Sequence, residues 1–354
     1  MAYNQISKCR FYVSTLEWLH RLGGLEIVED NSLSNQNLYS IVDLRPQNQF
    51  IYTGGVGAYQ IRFLTAGTFA GRYFATLMRP ENTFSMLLGH TFSDMQVHFN
   101  SLSEGASGGY LTPTEIVNYN DVSPLYYGFS IAEGSDTNNS SLAIGNVIRL
   151  FFKNGEQQIG HDLGWQIGSV LFGNYWETPH SPDLNLSISF ETGTKTIETK
   201  GGASLSNTLW DAPPKWGAAG AWQLYEPDSP PNPIERKGRR IFDLNFSFLS
   251  QSDTFPKYAS GTALPHTVGV NETYSTLDDE VVDTMVASDD FYSRVISKVG
   301  SHSPFVFQYN VDTNDDGSAD PNTFAICKFD QKGFKISQTS PNLYSCKVRI
   351  RECW

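Results

Sequence analysis

The chain has 354 residues, of which 25 are Lys or Arg and 37 are Asp or Glu, so its formal net charge at pH 7 is −12. An acidic chain repels phosphates, which argues against sequence-specific nucleic acid as a partner. Hydrophobic residues make up 40% of the chain and aromatic residues 13%, which excludes a disordered protein and is typical of a β-rich fold.

The sequence also argues against membrane spans, secretion and structural metal. It contains no run of 18 apolar residues, and its first ten residues are polar, so we expect neither a membrane span nor a secretory signal. Its four cysteines are scattered and form no Cys-x₂-Cys pair, which predicts reduced thiols rather than a disulfide framework or a zinc site. The cysteines are Cys9, Cys327, Cys346 and Cys353.

The N-terminal part predicts a strand, a short helix and then many short strands. Ser14 and Glu17 have the spacing of a capping box, and Gly23 with Gly24 is expected to end the helix. Beyond residue 25, short apolar runs alternate with turn residues, as in a sandwich or jelly roll. The predicted strands are residues 49–52, 59–63, 84–88, 95–99 and 147–152.

The C-terminal part contains two regions of strict alternation, residues 184–190 and 241–249. In the second, Phe242, Leu244, Phe246 and Phe248 share one face, which we expect a helix to bury. Ser288 is predicted to cap that helix, with Asp289 and Asp290 in its first turn, and Gly300 to end it. Further strands are predicted at residues 305–309, 323–329, 334–338 and 344–354, and a hairpin near residues 197–205.

These patterns predict a mainly β protein with two antiparallel β-sandwich domains. Residues 1–158 would form a jelly-roll-like accessory domain, and residues 159–354 a second sandwich with one packed helix and an inserted excursion over residues 250–288. The sequence leaves open whether residues 1–158 interrupt the sheet of the second domain or only precede it.

The second half resembles the tail-tube-like module of minor tail and distal tail proteins of tailed bacteriophages. The stretches that carry the resemblance are GRRIFDLNFSF at 238–248, PFVFQ at 304–308, AICKF at 325–329 and KVRIRECW at 347–354. The opening strands are similar at 181–205, and the first domain resembles phage jelly-roll modules at 84–99 and 146–152. The resemblance implies a virion protein, made in the host cytoplasm, that forms a homo-oligomeric ring in the tail and contacts other tail proteins.

One loop has the pattern of a calcium site. Asp312, Asn314 and Asp316 alternate before Gly317, and Asp320 follows at the ninth position of the motif, which is the first half of a calcium-binding loop. The twelfth position is Thr323 rather than the bidentate Glu. The loop therefore predicts either a calcium site or a solvated acidic turn.

The other sequence motifs do not indicate catalysis or metal binding. Residues 105–109 match the G-x-S-x-G pattern, but their flanks predict loop rather than the strand and helix that a nucleophile elbow needs. No histidines have metal-ligand spacing. We therefore predict no catalytic or cofactor-binding residues and no enzymatic activity.

The leading hypothesis is a ring-forming structural protein of a phage tail, whose first domain presents a host-contact or fibre-attachment surface. The alternatives are a carbohydrate-binding adhesin or fibre-associated module that contacts host surface glycan, a head or connector decoration protein, and a glycan hydrolase.

Overall fold

The structure, a computed structural model, describes residues 7–29, 38–44, 50–52, 59–70, 77, 82–88, 96–102, 114–115, 129–134, 147–153, 165–191, 193–209, 238–255, 288–311 and 323–353. Over these residues the chain is mainly β, as the sequence predicts. The strands are β1 (Arg10–Ser14), β2 (Leu25–Glu29), β3 (Phe50–Tyr52), β4 (Tyr59–Thr65), β5 (Thr83–Leu88), β6 (Gln96–Leu102), β7 (Thr114–Glu115), β8 (Phe129–Gly134), β9 (Val147–Lys153), β10 (Trp165–Ile167), β11 (Ser169–Glu177), β12 (Ser187–Glu191), β13 (Gly193–Glu198), β14 (Ser204–Leu209), β15 (Arg239–Leu249), β16 (Phe305–Gln308), β17 (Phe324–Phe329), β18 (Ile336–Ser340) and β19 (Leu343–Glu352).

The described helices are short. They are α1 (Thr15–Arg21), α2 (Gln251–Thr254) and a C-terminal helix over residues 291–299, which consists of a π-helical turn (Tyr292–Ile296) followed by α3 (Ser297–Val299); 3₁₀ turns lie at Leu38–Val42 and Gly67–Phe69.

Ten of the described strands form one large antiparallel sheet. Its order is β12-β15-β19-β17-β16-β1-β11-β5-β8, and β18 also pairs with β19. Strand β1 lies in the middle, between β11 and β16, where Tyr12 is opposite both Tyr175 and Val306. The sheet therefore takes strands from both sides of residue 158, so the predicted domain boundary does not coincide with a boundary between sheets.

The other described strands form smaller antiparallel sheets. Five strands pair in the order β2-β4-β9-β6-β7, while β3 pairs with β10 and β13 pairs with β14. The five-stranded sheet packs against one end of the large sheet, because Ile27, Phe63 and Ile148 share a core with Val170 and Phe172.

The large sheet has two faces, which we call the helix face and the far face. The helix face is covered by the C-terminal helix, whose Phe291, Val295 and Val299 pack on an aromatic core. That core includes Phe11, Trp176, Phe242, Phe305, Phe307 and Phe329. Around β1, β11 and β5 the far face buries a separate apolar cluster: Tyr12, Phe84, Met86, Leu171, Val306 and Ile326.

Capping interactions set the start of both longer helices. At α1, the Ser14 hydroxyl accepts a hydrogen bond from the backbone N–H of Glu17 at 3.4 Å, as the capping pattern predicts. At the C-terminal helix, the Asp290 carboxylate accepts from the backbone N–H of Ser293 at 2.8 Å, so Asp290 and not Ser288 is the cap. Gly300 ends this helix at φ 54, a conformation that glycine adopts without a Cβ clash.

The alternation in β15 is confirmed except at its end. Phe242, Leu244 and Phe246 are buried on the helix face as predicted, but Phe248 is 72% exposed, so its predicted burial is wrong. The reason is a bulge: the pairing between β15 and β19 shifts between Phe246 and Leu249, and Phe248 has φ 63. The extra residue turns Phe248 outward and returns Leu249 to the core.

Candidate functional site

The edge strand β12 is the first feature that could serve a partner. Within the described part of the chain, β12 pairs with β15 on one side only. All five of its residues are exposed. Ile188 is opposite Phe242 and Phe190 is opposite Arg240, so both apolar side chains lie on the helix face. The row of core side chains therefore continues onto β12, where Phe190 is 58% exposed.

A hairpin follows this edge after a single residue. Strands β13 and β14 pair over six residues each, so the hairpin is about 20 Å long. All of β13 is exposed, and the cross-strand pair Ile197 and Leu205 is 66% and 62% exposed. The hairpin predicted near residues 197–205 is thus confirmed. We call β12 and this hairpin together the edge surface.

The edge surface has the chemistry of strand addition. An edge strand offers backbone N–H and C=O groups to another strand, and uncovered apolar side chains gain free energy when a partner removes them from water. Soluble proteins commonly protect such edges with charge or bulges. In β12 the only charged side chain is Glu191, which binds Arg351 Nε of β19 at 2.8 Å.

The far face of β12, β15 and β19 carries a polar pocket of about 460 Å³. Two cross-strand rows form it. In one row Ser187 lies opposite Asp243, which lies opposite Arg349; in the other, Asn245 lies opposite Lys347. The residues that line the pocket are Asn185, Ser187, Asp243, Leu244, Asn245, Lys347 and Arg349.

Hydrogen bonds fix part of this pocket. Asp183 Oδ2 accepts from Asn245 Nδ2 at 2.6 Å and from Ser247 Oγ at 2.7 Å. Arg349 Nε lies 3.3 Å from Asp330 Oδ2 and 3.9 Å from Asp243 Oδ1. Asp183 and Asp330 thus hold two pocket side chains from outside the pocket.

Two charged side chains, Arg240 and Lys298, are buried. Arg240 donates to the Phe324 carbonyl at 2.7 Å and pairs with Glu352 at 3.2 Å. Burial, together with the nearby positive charge of Arg294, lowers the pKa of Lys298 to about 7. Its ammonium lies 5.8 Å from the centroid of the Trp18 ring. Both sites lie inside the packed protein.

Most of the candidate site residues predicted from the sequence lie in parts of the chain that the structure does not describe. The calcium-loop residues Asp312, Asn314, Asp316 and Asp320 lie outside the described residues, as do residues 105–109 and most of the excursion over 250–288. The calcium site therefore stays a prediction. Among the described residues, no group of three or more His, Cys, Asp or Glu side chains is placed to hold a metal ion.

The cysteines are free thiols, as the sequence predicts. Burial raises the pKa of Cys9 far above its ordinary value and that of Cys346 to about 11, so these thiols are protonated and unreactive at neutral pH. Within the described ranges, no helix has the length and apolar character needed to cross a bilayer.

Sequence reasoning identified the hairpin but missed the polar pocket. The alternation in residues 241–249 and 344–354 predicts that the polar side chains of β15 lie on one face of that strand, and likewise for β19. It does not say that these two strands are neighbours.

Compared with known proteins, the chain matches no family model, no curated protein and no solved structure.

Proposed function

We propose that the protein is a structural component of a tailed-phage virion and assembles with copies of itself into a ring through the edge surface. The observation that carries the proposal is β12: it ends a large sheet within the described residues, and it leaves Ile188 and Phe190 uncovered on the core-facing side. The resemblance of residues 181–205, 238–248 and 347–354 to tail-tube-like modules supports the same reading.

The physics of assembly fits these residues. A second copy that covers Ile188 and Phe190 would continue the helix-face core across the subunit boundary, while the hairpin offers Ile197 and Leu205 to the same or a further neighbour. A head-to-tail contact of this kind closes into a ring when the rotation between subunits permits it. The protein would then contact other tail proteins through the faces of the ring, and no step requires a catalytic residue.

The test is the oligomeric state of the purified full chain. We expect sedimentation velocity to show a concentration-dependent large species and negative-stain images to show rings with a central hole. The variant Ile188→Lys/Phe190→Lys should sediment as a monomer, because each lysine places a charge in the interface. Leu22→Lys, at an exposed leucine next to α1, is the matched control and should still assemble.

Two results would overturn the proposal. One is a wild-type chain that stays monomeric at high micromolar concentration; the other is a double variant that assembles like the wild type. If rings form, labelling of virions with an antibody against the protein should mark the tail rather than the head.

A further inference from the structure

We propose that the polar pocket on the far face of β12, β15 and β19 is a binding site for a sugar that carries a carboxylate. The site uses Asn185, Asp243, Asn245 and Lys347. The proposal also assigns a role to the exposed ring of Phe248, which follows Ser247 in the same strand. It lies on the opposite face of the sheet from Ile188 and Phe190, so it does not depend on the proposed ring assembly.

The pocket offers both donors and acceptors to a ligand. Because Asp183 is a pure acceptor, the Asn245 amide must direct its NH₂ group at Asp183, which leaves Oδ1 as an acceptor on the other side of the amide. The Asp243 carboxylate adds acceptors, while Asn185, Ser187 and Lys347 add donors. Sugar hydroxyls both donate and accept, so they match a lining of this kind.

The pocket has the volume of a small-molecule site, and hydrogen bonds and ion pairs already position some of its side chains. About 460 Å³ lies within the roughly 300–1,000 Å³ that is typical of ligand pockets. Asp183 and Asp330 hold Asn245 and Arg349 before any ligand arrives. A pocket whose side chains are already positioned loses less entropy on binding.

The preference for an acidic sugar depends on one cation, because Asp183 and Asp330 lie just outside the lining and bring two further carboxylates to its side chains. The pocket is lined by two cations, Lys347 and Arg349, and by one carboxylate, Asp243. Arg349 already lies close to Asp243 and Asp330. Lys347 has no ion pair with any residue in the described part of the chain, so its ammonium is the positive charge that a ligand carboxylate would neutralise.

Besides the pocket itself, the strained and exposed Phe248 supports a binding site in this region. It follows Ser247, which is bonded to the same Asp183 that holds Asn245. An aromatic residue at φ 63 is strained, and this ring is 72% exposed, so neither backbone nor burial favours phenylalanine here. Strain of this kind is concentrated at functional sites. Exposed aromatic rings can stack on the C–H face of a sugar, and the proposal assigns this role to Phe248.

The test uses the full chain with two defined probes, trigalacturonic acid and the neutral trisaccharide galactotriose, in calorimetric titrations at low salt. We expect the acidic trimer to bind with a Kd below about 1 mM and the neutral trimer at least tenfold more weakly. Lys347→Gln should remove this preference. Lys335→Gln, at an exposed lysine outside the pocket, is the charge control and should retain it.

The ring is tested in the same way. Phe248→Asn keeps a residue that tolerates positive φ but removes the ring, so it should weaken binding of the acidic trimer by at least fivefold. Phe190→Ala, at an exposed aromatic on the other face, should leave binding unchanged. Circular dichroism and chemical shifts would establish that each variant is folded.

Three results would overturn the proposal: neither trimer binds at ligand concentrations tenfold above the expected Kd, both trimers bind with equal affinity, or Lys347→Gln leaves the preference for the acidic trimer unchanged. Binding by the monomeric variant Ile188→Lys/Phe190→Lys would support the site even if ring assembly fails. Loss of binding in that variant would place the ligand at the edge surface and overturn the pocket assignment.

Discussion

Gly173 is a residue whose role depends on the close approach of two strands. It lies in β11 opposite Ser14 of β1, and a Cβ added to it would stand 2.2 Å from the Val13 carbonyl oxygen and 3.0 Å from the Thr15 nitrogen. Both atoms are backbone and cannot move aside cheaply. We expect Gly173→Ala to lower the free energy of unfolding by more than about 2 kcal/mol, measured by guanidinium denaturation.

The matched control is Gly201→Ala, at the tip of the β13–β14 hairpin, where no atom lies within 4 Å of the added Cβ. Its denaturation midpoint should equal that of the wild type. If both variants had the same midpoint, the close packing of β1 on β11 would be contradicted.

Lys298 makes the stability depend on pH. Burial and the charge of Arg294 lower its pKa from 10.5 to about 7, so between these values the folded protein binds fewer protons than the unfolded chain. The free energy of unfolding should therefore rise with pH from about 7 to about 10.5. Lys298→Met removes this contribution and should stabilise the protein at pH 6 by a few kcal/mol, since one pKa unit is worth about 1.4 kcal/mol.

Denaturant titrations at several pH values measure this effect. The control is Lys335→Met, at an exposed lysine, which should keep the wild-type slope of stability against pH. A Lys298→Met protein with the same slope as the wild type would show that the ammonium is hydrated in the folded state.

At the scale of elements, the bulge in β15 separates what a pattern can predict from what it cannot. Strict alternation correctly placed Phe242, Leu244 and Phe246 in the core, because a strand alternates its side chains. The same rule misplaced Phe248, since a bulge adds one residue and leaves no mark in the alternation itself. In β12, the alternation predicts that Ile188 and Phe190 share one face of the strand, but it does not predict whether another element covers that face.

The bulge predicts opposite responses at two phenylalanines. At Phe248, with φ 63, the glycine variant should be more stable than the alanine variant by about 1 kcal/mol, because glycine has no Cβ to strain. At Phe190, in the extended strand β12, the order should be reversed, since glycine weakens a regular strand. Thermal unfolding of the four variants measures both differences, and the same order at both sites would contradict the bulge.

At the scale of the whole molecule, the pairing of distant strands was beyond the sequence. Local pattern predicts a strand over residues 9–13 and another over residues 305–309, which correspond to β1 and β16, yet nothing local says that they are neighbours. For the same reason the polar residues of β12, β15 and β19 could not be assigned to one pocket. The two cross-strand rows that form it combine segments about 60 to 160 residues apart.

The large sheet predicts that the chain folds as a unit across residue 158. A fragment of residues 159–354 lacks β1, β5 and β8, which leaves β11 and β16 without their common neighbour and exposes Trp176, Phe305 and Phe307. We expect this fragment alone to aggregate or to show no cooperative unfolding by circular dichroism. Refolded together with residues 1–158, it should regain the transition of the intact chain, since both halves of the sheet are then present. The intact chain, refolded under the same conditions, is the control. A fragment that unfolds cooperatively and gives a dispersed NMR spectrum would instead support the two separate domains predicted from the sequence, and β1 would then be an addition to a sheet that is complete without it.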